Sequence, residues 1–342
     1  MIDWRESVRK GRRLVRRRGR PGWSAERADR SVSVVINTLD RRDWLEGTLD
    51  GLDDQEFVDF EVVVVNGPSS DGTAEMLAAR PGRHRVVHCD VASLGVSRNA
   101  GIRHAACPLV AFIDDDAVPE PTWLSELVTR FESEGVGAVG GPVFDVPTDR
   151  VEWKICTCTR AGEPNTDSPG PLDRYNVPGA DPLPYLAGCN MAFRRSVLRE
   201  VGGFNPMLAY GYDDVEVCAR VVDRGYRIAY ADDALVRHFR APSAVRDESM
   251  QLRDPYSISY ARTQFALQWA QPSQDVGSLG AAVKTAMMWH APSADELGGS
   301  STQHYEARID TAISDALADR VHGRPWVDVG DRPRLDFVPY LG

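Results

Sequence analysis

The chain has 342 residues, 42% hydrophobic and 26% charged, a balance that suits a globular protein with one large domain or two ordinary ones. Its net charge of -10 argues against general nucleic-acid binding, which needs a basic surface to neutralise phosphates. No window approaches the run of about eighteen apolar residues that crosses a membrane, and the N-terminus lacks the apolar core of a secretion signal, so the expected location is the cytoplasm.

Charge is uneven along the chain. Nine Arg and Lys residues crowd the first twenty positions, so residues 1–30 read as a basic arm on an acidic body. Such an arm is either a solvated tail or a peripheral contact with anionic lipid at the inner membrane face, with Trp4 and Trp23 as apolar partners. The six cysteines lack the spacing of a zinc site and the density of a disulfide scaffold, and read as reduced thiols.

From Ser31 the pattern becomes regular. "SVSVVINT" is a β-branched strand ending at a polar corner, and "WLEGTLDGLDDQ" has the helical spacing of Trp44, Leu45, Leu49 and Leu52 on one face. "FEVVVVNG" followed by "TAEMLAA", "HRVVHCD" followed by "GVSRNAGIRHAA", and then "PLVAFIDDD" repeat the alternation of strand and helix. Unbroken apolar strands alternating with helices predict a doubly wound, mostly parallel α/β sheet covered on both faces. Ligands of such sheets sit beyond the carboxyl ends of the strands, which gathers Thr38 to Asp40, Asn66 to Asp71 and Asp114 to Asp116 at one mouth.

After "GVGAVGGPVFD" the periodicity breaks, and residues 146–183 read as a long loop or insert over that mouth. "YLAGCNMAFRRSVLREVGGF" and "DDVEVCARVVDRGYRIAYADDALVRHF" restore strands and helices, and three helical patterns follow near 256–270, 279–290 and 303–321. The expected organisation is the arm, a main domain over 31–242 in two halves, 31–118 and 119–242, and a helical C-terminal extension over 243–342.

Acids at the end of a buried strand repel one another and lose solvation unless a cation offsets the cost. If strand geometry persists, Asp114 and Asp116 share a side and Asp115 faces the other way. An open oxygen-rich site of this kind suits Mg2+ or Mn2+ shared with a substrate phosphate, although acids at turns and helix caps are common without a metal.

The order of segments resembles the inverting family 2 glycosyltransferases, which have the nucleotide-diphospho-sugar transferase fold called GT-A. The resemblance spans roughly residues 31–240 and rests on "SVVINTLDR", "VVVVNGPSSDGT", "GVSRNAGIRHA", "VAFIDDDAVPEPTWL", "GCNMAFRRSVLREVGGF" and "GYDDVEVCARVVDRGYRI". It implies Asp116 and His238 as ligands of Mn2+ or Mg2+, with Asp114 and Asp115 beside the ribose or the metal. It implies Asp214 as catalytic base with Asp213, where Glu is more usual, as the alternative. Thr38, Asp40, Asn66, Asp71 and Arg98 are implied in nucleoside recognition, and Gly188 and Asn190 at the donor sugar. Asn66 replaces the family's usual Asp, and Trp153 and Tyr185 are candidates for stacking on a sugar.

The implied activity is metal-dependent, inverting transfer of a sugar from a nucleotide-diphosphate donor to a hydroxyl of a glycan, lipid-linked or small-molecule acceptor. UDP is the commonest donor nucleotide in the family, and surface glycans or glycosylated metabolites are the expected products. Processive synthases of the family carry Gln-x-x-Arg-Trp and membrane helices; here "QFALQW" has Gln268 at the Arg position, which implies a non-processive enzyme. A nucleotidyltransferase would show a Gly-rich basic signature after the first strand, which "NTLDRRDW" does not supply. A non-catalytic glycan- or membrane-binding relative is the other alternative, and oligomeric state stays open.

Overall fold

The computed structural model describes residues 30–320 apart from 83, 244, 248–250, 272, 290 and 294–301. The basic arm over residues 1–29 and the chain beyond 320 lie outside the described residues.

The first half alternates as its sequence predicts: β1 (Val32–Thr38), α1 (Arg42–Asp53), β2 (Phe60–Asn66), α2 (Thr73–Ala79), β3 (His84–His88), α3 (Leu94–His104) and β4 (Leu109–Asp114). Then come β5 (Ala117–Pro119), α4 (Trp123–Arg130), β6 (Val136–Gly140), β7 (Val143–Asp145), β8 (Arg150–Trp153), β9 (Cys156–Cys158), β10 (Pro164–Asn165), β11 (Leu183–Tyr185) and β12 (Met191–Arg194). α5 (Arg195–Val201), α6 (Asp213–Asp223), β13 (Arg227–Tyr230), β14 (Val236–His238), α7 (Tyr256–Trp269), α8 (Val276–Trp289) and α9 (Thr302–Arg320) complete the described chain.

The central sheet has seven strands in the order β13-β6-β12-β4-β1-β2-β3. β1 pairs in parallel with β2 and β4, and β2 with β3, whereas β12 runs antiparallel between β4 and β6. The fold is therefore mixed α/β around a mostly parallel sheet. Buried valines and isoleucines of β1, β2 and β4 face helices on both sides, which explains their unbroken apolar sequence.

Register matters more to the site than length. Thr38 lies beside Asn66 and Asn37 beside Asp114, so β1, β2 and β4 end level. The order reverses direction between β1 and β4, and the crevice beyond such a reversal is where ligands of open α/β sheets bind. A second sheet of β5, β14, β7 and β8 places His238 beside Ala117 and Asp145.

The segment 146–183 is more ordered than its sequence suggests. It contains β8, β9, β10 and a 3-10 turn at Leu172–Tyr175, and β9 pairs with both β10 and β11. These strands are two to four residues long, too short to leave a periodicity in sequence. α9 packs along α7, where Tyr256 and Tyr260 donate to Asp315 and Asp319. α7 also reaches the main core through Phe265, which lies 5.7 Å from the Tyr212 ring.

Candidate active site

Two acid clusters meet at the carboxyl ends of the strands. In the first, β4 ends at Asp114 and the chain turns through Asp115 and Asp116. Asp116 is enclosed: its Oδ2 accepts from Arg41 Nη1 at 2.7 Å and from the Ala241 backbone N–H at 2.7 Å. Its Oδ1 lies 3.2 Å from His238 Nε2, and Asp114 Oδ2 lies 4.0 Å from the same nitrogen. Asp114 and Asp116 therefore face one imidazole, as strand alternation predicts, while Asp115 turns toward Arg41 at 3.3 Å.

Electrostatics separate the three acids. Burial alone would raise Asp116, but His238, Arg41 and the Ala241 N–H hold it well below the usual carboxylate range. Burial pushes Asp115 up to about 7 against the pull of Arg41, with Asp116 adding to the rise. Asp114 is also raised, chiefly by burial, and Arg98 opposes that rise. Burial would lower His238, yet Asp116 raises it.

The second cluster opens α6. Asp213 and Asp214 are adjacent, so their side chains leave the helix in different directions. Asp213 is buried against Arg98 Nη1. Asp214 is half-buried; its Oδ2 accepts the Gly188 N–H at 3.0 Å and its Oδ1 the Val215 N–H at 2.8 Å. Burial and then the neighbouring Asp213 push Asp214 up to about 7, against Arg98. Three first-turn acids also complement the helix dipole. Glu216, however, is taken by Arg220 at 2.9 and 2.6 Å and by Gln268 at 3.2 Å.

Arg98 joins the clusters. It is only 2% exposed, and besides Asp213 it reaches the Gly188 carbonyl at 3.1 Å and Asp114 at 3.6 Å, stacked on Phe112 and Phe204. Arg98, implied in nucleoside recognition, is thus held between two carboxylates and a carbonyl at the junction of the clusters. Asn190, implied at the donor sugar, is fully buried: its Oδ1 accepts from Trp123 Nε1 at 2.8 Å, and its amide N–H groups donate to the Pro142 and Ala234 carbonyls. Asp115 is buried with Arg41 beside it.

Gly188 does sit where close approach is required, since a Cβ there would lie 2.8 Å from Arg98 Nη2 and 3.4 Å from Asp214 Oδ2. Asp40 and Asp71 tie the loops after β1 and β2 together. Asp40 accepts from the Ser70 N–H at 2.6 Å, and Asp71 from the Arg42 and Thr73 N–H groups at 2.8 and 3.0 Å. Asn66 accepts from Ser69 at 2.8 Å, and buried Thr38 is its neighbour across the register. Asp40, Tyr212 and Arg240 all have positive φ around this mouth, a costly conformation that clusters at functional sites.

Sequence reasoning missed two participants. Arg41 follows Asp40 directly in "NTLDR", and its position there was the available signal. Cys189, one of the six cysteines read as reduced thiols, brings its Sγ into a group with Asp114 and His238 whose donor atoms all lie within 4.8 Å of one another. Trp153 stands 6.1 Å from the His238 ring and 5.0 Å below the Arg240 guanidinium, while Tyr185 is buried in the core.

Comparison with known proteins accords with this geometry. The model of Glycosyl transferase family 2 matches residues 33–202, and that of the N-terminal domain of galactosyltransferase matches 177–242, so the two together cover the sheet and both acid clusters. The chain is a family 2 glycosyltransferase. This glycosyltransferase is 27% identical over 221 residues to glycosyltransferase AglE of Haloferax volcanii, covering 62% of the chain and 67% of the relative. It is 27% identical over 175 residues to the pre-mycofactocin glycosyltransferase of Mycobacterium tuberculosis, where the match covers 49% of the chain and 34% of that relative. The fold is shared with S. aureus TarS 1-349 in complex with UDP-GlcNAc, at a TM-score of 0.55, 15% identity and coverage of 84% and 80% of the two chains. It is shared also with mannosyltransferase PcManGT from Pyrobaculum calidifontis in complex with GDP-Man and Mn2+, at 0.50, 20% identity and coverage of 84% and 87%. Among the described residues, no helix is long and apolar enough to cross a membrane.

Proposed function

We propose that this glycosyltransferase moves a sugar from a nucleotide-diphosphate donor to an acceptor hydroxyl with inversion, with Asp214 as the base. The observation that carries the reading is the contrast between Asp213, neutralised by Arg98, and Asp214, half-buried at the mouth, pushed up to about 7 and aimed by the Gly188 N–H. A base poised near working pH is what abstraction of a hydroxyl proton requires.

In the proposed step the acceptor oxygen bonds to the anomeric carbon as the bond from that carbon to the diphosphate breaks. The hydroxyl proton passes to Asp214, whose carboxylate oxygens each keep a lone pair beyond the N–H they accept. Attack from the face opposite the diphosphate inverts the anomeric centre.

The residues present suit a divalent ion. Asp116 Oδ2 is occupied by Arg41 and Ala241, which leaves Oδ1 and His238 Nε2 facing each other with Asp114 and Cys189 nearby. Asp116 and His238 would hold the ion, and the imidazole favours Mn2+ over Mg2+. When bound, it would supply Lewis-acid stabilisation to the departing diphosphate. Arg41 positions Asp116, and Thr38, Asn66, Asp40 and Asp71 shape the loops that would receive the nucleoside.

TarS and PcManGT are named with UDP-GlcNAc and with GDP-Man, which supports a nucleotide sugar and leaves the base open, with UDP as the first expectation. The test is thermal-shift measurement with UDP, GDP, dTDP and CDP, each with Mn2+, Mg2+ or EDTA. Metal-dependent stabilisation by one nucleotide supports the reading, and none by any of them overturns it. Non-processive transfer onto a glycan, lipid-linked or small-molecule hydroxyl completes the proposal.

A further inference from the structure

Among the described residues three arginines are buried: Arg98, Arg160 and Arg262. Arg98 has Asp213 and Arg160 has a two-pronged pair with Asp223 at 3.1 and 2.6 Å. Arg262, on α7, is 8% exposed and has no hydrogen bond, ion pair or aromatic face among the described residues. Its Nε is fully enclosed and unpartnered. A guanidinium cannot shed its charge, so burial without an anion is strongly unfavourable and calls for a partner of opposite charge.

The surroundings place that missing anion. Arg262 lies against Gly162: a Cβ built on that glycine would sit 3.2 Å from Arg262 Cγ and 3.6 Å from Nε. The Gly162 carbonyl accepts from Tyr212 Oη at 2.7 Å, and Tyr212 is the residue immediately before Asp213 and Asp214. The Tyr212 ring also lies 5.7 Å from Phe265, three residues beyond Arg262 on α7, so the Gly162 turn and α7 both meet the start of α6 at this tyrosine. Among the described residues no acid pairs with Arg262.

We infer that Arg262 is the binding residue for an oxyanion on the acceptor, which it meets on the side of Asp214 formed by Tyr212 and the Gly162 turn. The inference rests on the glycosyl-transfer reading, because that reading makes Asp214 the acceptor side. The substrate class is thereby narrowed to acceptors whose hydroxyl lies near a phosphate or a carboxylate. Arg262 does not move the proton; it holds the anion while Asp214 takes it.

The test compares full-length wild-type protein with Arg262→Met and Arg262→Lys by thermal unfolding in EDTA, in phosphate, acetate or chloride at equal ionic strength. Phosphate stabilises proteins generally by exclusion from their surface, so the measure is the response that wild-type shows and Arg262→Met lacks. Loss of an unpaired buried charge should raise the Tm of Arg262→Met in chloride by about 2 °C or more. Wild-type should gain further stability in phosphate or in acetate, Arg262→Met should not, and Arg262→Lys should keep part of the gain. A gain in phosphate identifies a phosphoester, and a gain in acetate alone identifies a carboxylate. A lower Tm for Arg262→Met in chloride, or equal anion responses in wild-type and Met variant, overturns the inference. Wild-type protein with nucleotide and Mn2+ serves as the separate control: stabilisation there with no anion response refutes only this inference, whereas its absence refutes the transfer reading beneath it.

Discussion

Asp213 and Asp214 differ by one position and by everything around them. The first is paired inside with Arg98, and the second meets the mouth with only backbone N–H groups on its oxygens. Asp214→Asn should reduce transfer by about 10²- to 10⁴-fold while nucleotide stabilisation persists, and near-full activity would remove the base assignment. Below about pH 7 Asp214 is protonated and cannot accept a proton, so kcat/KM should fall on acidification with an apparent pKa near 7. Asp213→Asn removes the like charge that adds to burial and leaves Arg98 to act on Asp214, so the acid limb should move to lower pH. An unmoved limb in that variant would show that another group titrates. Sequence showed the acids but not which one faced out, because a one-residue choice on a helix is decided by its tertiary partner. Arg98, 115 residues away from Asp213, is that partner.

At the scale of elements, strand ends and helix starts were legible because apolar runs stop at Asn, Asp and Gly. Thr38, Asn66 and Asp114 lie level as that pattern implies. The antiparallel β12 was not legible, since its four residues carry no record of direction. The Asn190 amide staples the turn before β12 to α4 and to the Pro142 and Ala234 carbonyls, long-range partners that no local pattern records. Asn190→Ala should therefore cost about 2–4 kcal/mol of stability in denaturant melts, since it strands a buried indole N–H and two carbonyls. Nucleotide-dependent stabilisation should remain. Its selective loss in a protein of unchanged stability would put Asn190 in the donor pocket.

Over the whole molecule, the helices after residue 243 do more than cover a surface. Phe265 of α7 is fully buried in the main core with Val215, Val217 and Tyr185, and Gln268 donates to Glu216 on α6. α7 thus braces the helix that presents Asp213 and Asp214, while α8 and α9 form their own small core around Val283, Met287, Tyr305 and Ile309. Two substitutions separate these roles. Phe265→Ala should cost about 3–5 kcal/mol and lower kcat, because the cavity lies under Tyr212 at the start of α6. Ile309→Ala, at about 2–5 kcal/mol, should loosen α8 and α9 yet leave kcat within about twofold, because that core does not touch α6. Equal effects on kcat from both would mean that the acids are aligned by the helical bundle as a unit, and that α7 is not by itself the brace.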